Sequence, residues 1–184
     1  MTDQEIIEAI TKAKPGVKKY LWLMDRLFQV NVATDAEFQT KYKGFYRVRQ
    51  KTESWYSTYF GLLENNKGKR PTFDEVLNEL RDRLGNNAYE PSFTSKLVAT
   101  LDPWSPVWDE YVLRNTGHNP PSYTSRTKHD DAPVAYSSIV DWYDTFMSSD
   151  KGKHWVALFN DNVPEYYKIT DIKKVDFILW QIRS

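Results

Sequence analysis

The sequence predicts an all-α fold, in which a single compact domain is built from many helices. Apolar residues recur at intervals of three and four along nearly every long segment, as on the buried face of an amphipathic helix. No segment shows the regular alternation of apolar and polar residues that is typical of a half-buried strand. With 184 residues, the chain can bury most of the surface that it exposes when unfolded.

Three helices are predicted in the first 70 residues. The first carries isoleucines at helical spacing, and we expect it to end near Pro15, because proline disrupts a helix interior. The second has a broad apolar stripe formed by Val17, Tyr20, Leu21, Met24, Leu27 and Phe28. The third ends near a loop at residues 65–68, and its apolar residues are Trp55, Tyr59, Phe60, Leu62 and Leu63.

Capping residues define the helices in the middle of the chain. Thr72 followed by Glu75 matches a capping box, in which each side chain bonds to the backbone of the other, and Gly85 should end that helix. Two shorter helices are expected over residues 92–101 and 109–115.

The last third begins with a polar, proline-containing loop at residues 117–132. Two helices are expected after it, over residues 133–148 and 151–160. A final helical segment at residues 170–183 is strongly apolar, and we expect most of its apolar side chains to face inward.

Residues 1–184 are treated as one domain, because we find no internal repeat and no low-complexity tract. We expect this domain to have two lobes. Residues 36–116 would form the first lobe, and residues 1–35 and 117–184 would pack together as the second.

Composition excludes several kinds of chemistry. The chain has no cysteine, so disulfides, thiolate catalysis and cysteine-ligated zinc or iron–sulfur clusters are ruled out. Its three histidines are not at metal-ligand spacing, and we expect neither a metal nor another cofactor. The N-terminus lacks the pattern of a signal peptide, and no apolar run approaches the ~20 residues that span a bilayer. We therefore expect a cytoplasmic protein without a membrane partner.

Charge is unevenly distributed along the chain. The net charge is zero, which argues against attraction of the whole surface to DNA. Residues 1–70, however, hold 13 Lys and Arg against 8 Asp and Glu. A basic side and an acidic side are therefore compatible with the sequence.

Lys96 and Asp109 are the strongest candidates for catalysis. Each stands near the start of one of two adjacent predicted helices, within residues 91–99 and 107–114. An amine can attack a sugar carbon, and a carboxylate can stabilise the positive charge that develops there as a base leaves. The alternative is that the two residues are surface charges or an incidental ion pair.

These two runs resemble the core signature of the helix-hairpin-helix DNA glycosylases, which include the 8-oxoguanine glycosylases. That family has a Pro-Gly-hydrophobic-Gly-x-Lys run at one helix start and a hydrophobic-Asp-x-x-hydrophobic-x-Arg run at the next. The residues that align without a gap are Pro91, Lys96, Asp109, Val112 and Arg114. Ser92 and Thr94 stand where the family has glycines, and the similarity covers roughly residues 89–116.

The resemblance implies a function as well as a fold. Lys96 would be the nucleophile and Asp109 its electrostatic partner in the removal of a damaged base from duplex DNA, and strand cleavage could follow through a Schiff base. The base must be flipped out, because the sugar carbon cannot be reached inside the stack. Ser92, Thr94 and Ser95, at the helix start, would hold a phosphate of the DNA.

Residues 41–51 are a second candidate for DNA binding. They contain five basic residues and three aromatic ones and no acidic residue, and Arg47, Arg49 and Lys51 are the expected phosphate contacts. The alternative is a helix with an aromatic inner stripe and a solvated basic face. Trp104 and Trp108 flank the proposed site, where they would either sandwich an extruded base or form part of the core.

A competing hypothesis is a helical domain without catalytic activity that binds DNA or a protein through residues 41–51. The zero net charge favours this alternative, as do Ser92 and Thr94 at the glycine positions of the family. The oligomeric state and the identity of the base are not predicted.

Overall fold

The computed structural model describes residues 1–85 and 87–182, and these ranges contain helices, turns and loops but no strand. The helices are α1 (Asp3–Leu27), α2 (Ala36–Tyr46), α3 (Glu53–Asn65), α4 (Phe73–Leu84), α5 (Pro91–Leu101), α6 (Glu110–Thr116), α7 (Lys128–Ser148), α8 (Asp150–Asn162) and α9 (Asp171–Gln181), with a short 3-10 helix at Tyr166–Lys168 before α9. The all-α prediction is confirmed. The predicted end of the final helix at Arg183 lies outside the described residues.

The prediction that the first helix ends near Pro15 is wrong. Helix α1 runs from Asp3 to Leu27, with the exposed Pro15 in its interior. An interior proline costs about 3 kcal/mol. The cost is offset because the buried stripe continues in register on both sides of Pro15, from Ala13 to Val17, and packs against α9. Burial of one continuous apolar face therefore outweighs the local penalty.

The predicted helix at residues 133–148 starts one turn earlier, at Lys128, so Pro133 lies inside α7. Asp130 and Asp131 occupy the first turn of α7, where negative charge interacts favourably with the helix dipole. The capping box of Thr72 and Glu75 is present as predicted, with a bond in each direction.

Helix α9 lies at the centre of the packing. It contacts α1, α6, α7 and α8, and eight consecutive residues from Ile172 to Leu179 are buried. Helices α3 and α4 pack together, and α4 also contacts α5 and α7. The buried apolar side chains form one cluster that includes residues from both expected lobes. The division into two lobes stays a prediction.

A search of the described residues for membrane-spanning segments gives a negative result. No helix within those ranges combines the length and the apolar character that crossing a bilayer requires. The longest helix, α1, carries charged residues along its exposed face.

Gly152 and Gly61 both lie in helices but differ in the space around them, which gives a test of the packing. A β-carbon at Gly152 would lie 1.9 Å from the carbonyl oxygen of Phe146, whereas one at Gly61 would meet nothing within 4 Å. We expect Gly152→Ala to lower the free energy of unfolding by at least about 2 kcal/mol, because the backbone must shift. Gly61→Ala should raise it by about 0.5–1 kcal/mol through its higher helix propensity. Urea unfolding measures both, and a neutral Gly152→Ala variant would contradict the close contact of α7 with α8.

Candidate active site

Lys96 and Asp109 lie next to each other in the fold. Lys96 is in the middle of α5, and Asp109 immediately precedes α6. The Nζ atom of Lys96 is 4.0 Å from Oδ2 of Asp109, and the exposed fractions of the two side chains are 6% and 17%. Residues 13 positions apart in the sequence thus form a largely buried pair of opposite charges.

The two oxygens of Asp109 have different surroundings. Oδ1 accepts a hydrogen bond from the backbone N–H of Tyr111 at 3.1 Å, which makes Asp109 the N-cap of α6. Oδ2 is the oxygen that faces Lys96. The cap therefore fixes the orientation of the carboxylate, and Oδ2 is available to stabilise a positive charge nearby.

Lys96 is held by its own helix as well. Its Nζ donates a hydrogen bond to Oγ of Ser92 at 2.9 Å, one turn earlier in α5, and lies 5.1 Å from the centre of the Phe93 ring. The carbonyl of Lys96 accepts from the buried hydroxyl of Thr100 at 2.7 Å. These contacts restrict both the side-chain amine and the backbone carbonyl of Lys96.

A buried network of hydroxyl groups fixes α5 against α2 and α3. The hydroxyl of Tyr59 donates to the carbonyl of Phe93 at 2.9 Å and lies 2.9 Å from the hydroxyl of Tyr42. Thr100 Oγ1 lies 3.4 Å from that of Tyr42 and 3.2 Å from that of Tyr46. Buried hydroxyl groups need such partners. The network therefore sets the position of the helix that carries Lys96.

Three side chains were predicted to hold a phosphate at the start of α5, and the structure places two of them in the core. Thr94 and Ser95 are both 0% exposed. The hydroxyl of Ser95 donates to the carbonyl of Ser92 at 3.0 Å and accepts from the N–H of Trp108 at 2.9 Å, which ties α5 to the segment before α6. Neither hydroxyl can reach a phosphate without a rearrangement of α5. Ser92 is half-buried, and its hydroxyl is bonded to Lys96.

The surroundings of Lys96 favour its neutral form. Burial lowers the pKa of the Lys96 amine, the nearby Asp109 carboxylate opposes this, and the Arg47 guanidinium lowers the pKa further. The net result is a pKa below the usual value of 10.5. A lysine acts as a nucleophile only when it is neutral, so the direction of this shift suits covalent chemistry.

Asp109 lines a cleft next to this pair. The cleft has an empty volume of about 630 Å³, with the open solvent at its mouth included, and Lys19, Arg47, Tyr111 and Trp180 also line it. Lys96 is absent from the described lining and lies behind Asp109. Only the carboxylate of the predicted pair therefore faces the cleft directly.

A smaller cavity, with room for about one water molecule, adjoins the cleft. Three aromatic residues, Phe45, Phe177 and Trp180, line both spaces. Lys173 and Asp176 also line the cavity. A wall of aromatic rings thus separates the cleft beside Asp109 from a buried pocket with a polar pair.

Sequence reasoning missed Lys173 and Asp176. Their side chains are 3% and 7% exposed, Nζ lies 2.8 Å from Oδ2, and the hydroxyl of Tyr143 donates to Oδ1 of Asp176. Burial lowers the pKa of Lys173, but the Asp176 carboxylate together with Tyr46 and Tyr20 outweighs it and holds that pKa above its ordinary value. The available signal was the occurrence of both charged residues among the many apolar residues of α9.

The basic segment at residues 41–51 is divided between the end of α2 and the loop that follows. Phe45 and Tyr46 are buried, and the exposed Arg47 ends α2 in the left-handed conformation, with φ of 55°. Arg47 lines the cleft, and Arg49 is exposed. Lys51 instead forms an ion pair with Glu90 at 2.5 Å.

The two candidate stacking residues lie in different environments. Trp104 is 59% exposed. Trp108 is 4% exposed, and its ring is stacked on Phe73 at a centroid distance of 5.9 Å, which places it in the core. Base stacking by Trp108 would require this ring to leave the core. The aromatic residues that do line the cleft are Phe45, Tyr111, Phe177 and Trp180.

Comparisons with protein-family models, with curated proteins and with solved structures find no match for this chain. No group of three or more potential metal ligands occurs within residues 1–85 and 87–182.

The pKa of Lys96 gives a test of this geometry. We expect the Lys96 amine to titrate below the exposed lysines when its ¹³Cε resonance is followed by NMR. Arg47→Gln should raise its pKa, because a neighbouring positive charge is removed, and Asp109→Asn should lower it. Because the pKa is lower in the folded than in the unfolded chain, deprotonation of Lys96 adds stability as pH rises through the folded pKa. Arg49→Gln is the matched control, and an ordinary Lys96 pKa in the wild-type protein would contradict this description.

Proposed function

We propose that the protein is a DNA glycosylase that removes a flipped, damaged base and can cleave the strand at the resulting abasic site. The observation that carries the proposal is the buried pair of Lys96 and Asp109, with Nζ and Oδ2 4.0 Å apart beside a cleft. The lowered pKa of Lys96 supports it, because the amine must be neutral to attack.

The proposed reaction begins at C1′ of the flipped nucleotide. Neutral Lys96 Nζ forms a bond to C1′ as the bond from C1′ to the base breaks. The electron pair of that bond leaves with the base, which takes a proton from the attacking nitrogen. Asp109 Oδ2 stabilises the positive charge on the sugar, and a site with little water strengthens this effect.

Strand cleavage would follow from the covalent intermediate. The nitrogen lone pair opens the sugar ring, O4′ takes a proton from solvent, and a protonated Schiff base remains on Lys96. This group acidifies the proton on C2′. Transfer of that proton to solvent forms a C2′–C3′ double bond, and the C3′–O bond breaks with its electron pair leaving on the 3′ phosphate. Two easier steps thereby replace one difficult step.

The flipped base would occupy the space behind the aromatic wall of the cleft. Phe45, Phe177 and Trp180 supply flat surfaces for stacking, which contributes ~1–3 kcal/mol per base. Lys173 and Asp176 offer a donor and an acceptor for the polar edge of the base. Entry requires the aromatic side chains to move apart, because the cavity is too small for a base when they are in their present positions.

A domain that binds DNA or a protein without catalysis is the second candidate. The observation in its favour is that Lys96 has only 6% of its side chain exposed and is already bonded to Ser92. Asp109 has a structural role as the cap of α6. Both residues would then be retained for stability alone, and the nucleophile test separates the two candidates.

Replacement of the nucleophile is the first functional test. We expect Lys96→Gln to abolish borohydride trapping on oligonucleotides with damaged bases or abasic sites, because the amide cannot form a Schiff base. DNA binding should remain nearly unchanged, since the amide keeps most of the length of the side chain. Lys12→Gln, which removes an exposed lysine, serves as the control. Full trapping by a folded Lys96→Gln protein would reject Lys96 as the nucleophile.

Asp109→Asn tests the electrostatic role. We expect base release to slow by about 10²–10³-fold, the usual effect of removing one preorganised stabilising group. The amide oxygen can still cap α6, so the free energy of unfolding should change by less than about 1 kcal/mol. Single-turnover kinetics and urea unfolding measure the two quantities. If activity falls only as much as the folded fraction does, Asp109 acts as a structural cap and not in catalysis.

Arg47 and Arg49 test the DNA-binding part of the proposal. Replacing both with Gln should weaken binding of duplex DNA and reduce the dependence of log K on log salt by about one unit for each lost phosphate contact. Lys51→Gln should change the salt slope less, because Glu90 already pairs with Lys51. Fluorescence anisotropy at several salt concentrations gives the affinity and its salt dependence. An unchanged slope in the double variant would show that Arg47 and Arg49 do not contact the DNA.

A further inference from the structure

The cleft beside Asp109 continues into a second cleft between α1 and α2. Lys19 and Gly44 line both. The second cleft has an empty volume of about 790 Å³, open solvent included, and its described lining is Lys18, Lys19, Trp22, Thr40, Lys41 and Gly44. Together the two spaces form one groove, which we call the α1–α2 groove, and it ends at Asp109.

The α1–α2 groove is strongly basic. Lys18, Lys19, Lys41 and Arg47 line it, and Asp109 is the single carboxylate among its described lining residues. Lys18 and Lys19 are exposed, and neither has a hydrogen bond or ion pair to another described residue. Unpaired cations on a concave surface concentrate positive potential and attract an anionic partner.

Among the described cations that line the second cleft, Lys41 is the one that pairs with other side chains. Its Nζ lies 4.6 Å from the centre of the Trp22 ring and 3.5 Å from Oε1 of the exposed Glu37. Trp22 is half-buried beneath this amine. The ring therefore holds the charge of Lys41 over the groove rather than leaving it free in solvent.

The shape of the α1–α2 groove depends on Gly44. A β-carbon at this position would meet no atom within 4 Å, so a larger side chain here would extend into open space. Along α2, the distance from Lys41 to Arg47 is roughly 9 Å at the helical rise of 1.5 Å per residue. A DNA strand advances about 3.4 Å along the duplex axis per phosphate and also winds around that axis, so this length can face only a few phosphates.

We propose that the α1–α2 groove binds the phosphate backbone of DNA and leads one strand to Asp109. The inference rests on the proposed function, because the strand that contains the target nucleotide must reach that carboxylate. An anionic membrane surface is the other partner that charge alone would allow. DNA is favoured because the cations line a concave groove that a strand can enter. A flat lipid surface would contact only the residues at the rim of the groove.

The test compares two variants that lose the same charge. Lys18→Gln/Lys19→Gln removes the unpaired cations of the groove, and Lys151→Gln/Lys153→Gln removes two exposed lysines of α8. The probe is a fluorescein-labelled duplex with a tetrahydrofuran abasic site. We expect the groove variant to bind roughly tenfold more weakly at low salt and to reduce the salt slope by about two units, while the α8 variant keeps the wild-type values.

Gly44→Leu tests the shape without changing the charge. Its side chain would project into the open space of the groove, so folding should be preserved while the DNA strand is displaced. We expect weaker binding of the same duplex, together with a free energy of unfolding at least equal to that of the wild-type protein, because leucine has the higher helix propensity. Wild-type affinity in a folded Gly44→Leu protein would overturn the proposed path.

The outcomes separate this inference from the proposed function. If the wild-type protein forms the borohydride adduct but the groove variant binds like the α8 variant, the α1–α2 groove is wrong and the glycosylase proposal stands. If the wild-type protein forms no adduct and only the groove variants lose DNA binding, the groove stands and the catalytic proposal fails. Retained DNA binding with a selective loss of binding to phosphatidylserine vesicles would overturn the inference in favour of a membrane partner.

Discussion

The burial of α9 on all sides is the constraint on which the rest of the structure depends. This helix contacts α1, α6, α7 and α8, and its charged residues Lys173 and Asp176 are almost fully buried. Each charge must therefore be compensated by the other, with Tyr143 as an additional donor. The same helix supplies Phe177 and Trp180 to the wall of the cleft. Core packing and cleft geometry are thus set by one element.

The second buried pair, Lys96 and Asp109, is arranged differently. Its members are 4.0 Å apart and are each bonded to other groups, Ser92 and the N–H of Tyr111. The ion pair on α9 is short and raises the pKa of its lysine, whereas burial lowers the pKa of Lys96. A tight pair stabilises the charged lysine and suppresses its reactivity. The looser pair is the one with the electrostatics of a nucleophile.

The sequence was informative where residues close in the chain determine the structure. The helical class and the capping box at Thr72 follow from local patterns. The pair of Lys96 and Asp109 was suggested instead by the family resemblance over residues 89–116, and the structure places the two side chains 4.0 Å apart. Features that depend on distant partners were not predictable. Periodicity alone could not show that the stripe on both sides of Pro15 would bury against α9, or that Trp108 would stack on Phe73. The three buried charges on α9, which are Lys173, Lys174 and Asp176, resemble a solvated face until the neighbouring helices are known.

The contact between α1 and α9 also has a kinetic consequence. These helices are separated by about 140 residues, and they are in contact at Gly16, where a β-carbon would lie 3.6 Å from the ring of Phe177. Closing so long a loop costs conformational entropy before the contact returns any free energy. The core of this small helical protein therefore cannot be completed from local contacts. Its folding should be slower than its helix content suggests, with docking of α9 against α1 as a late step.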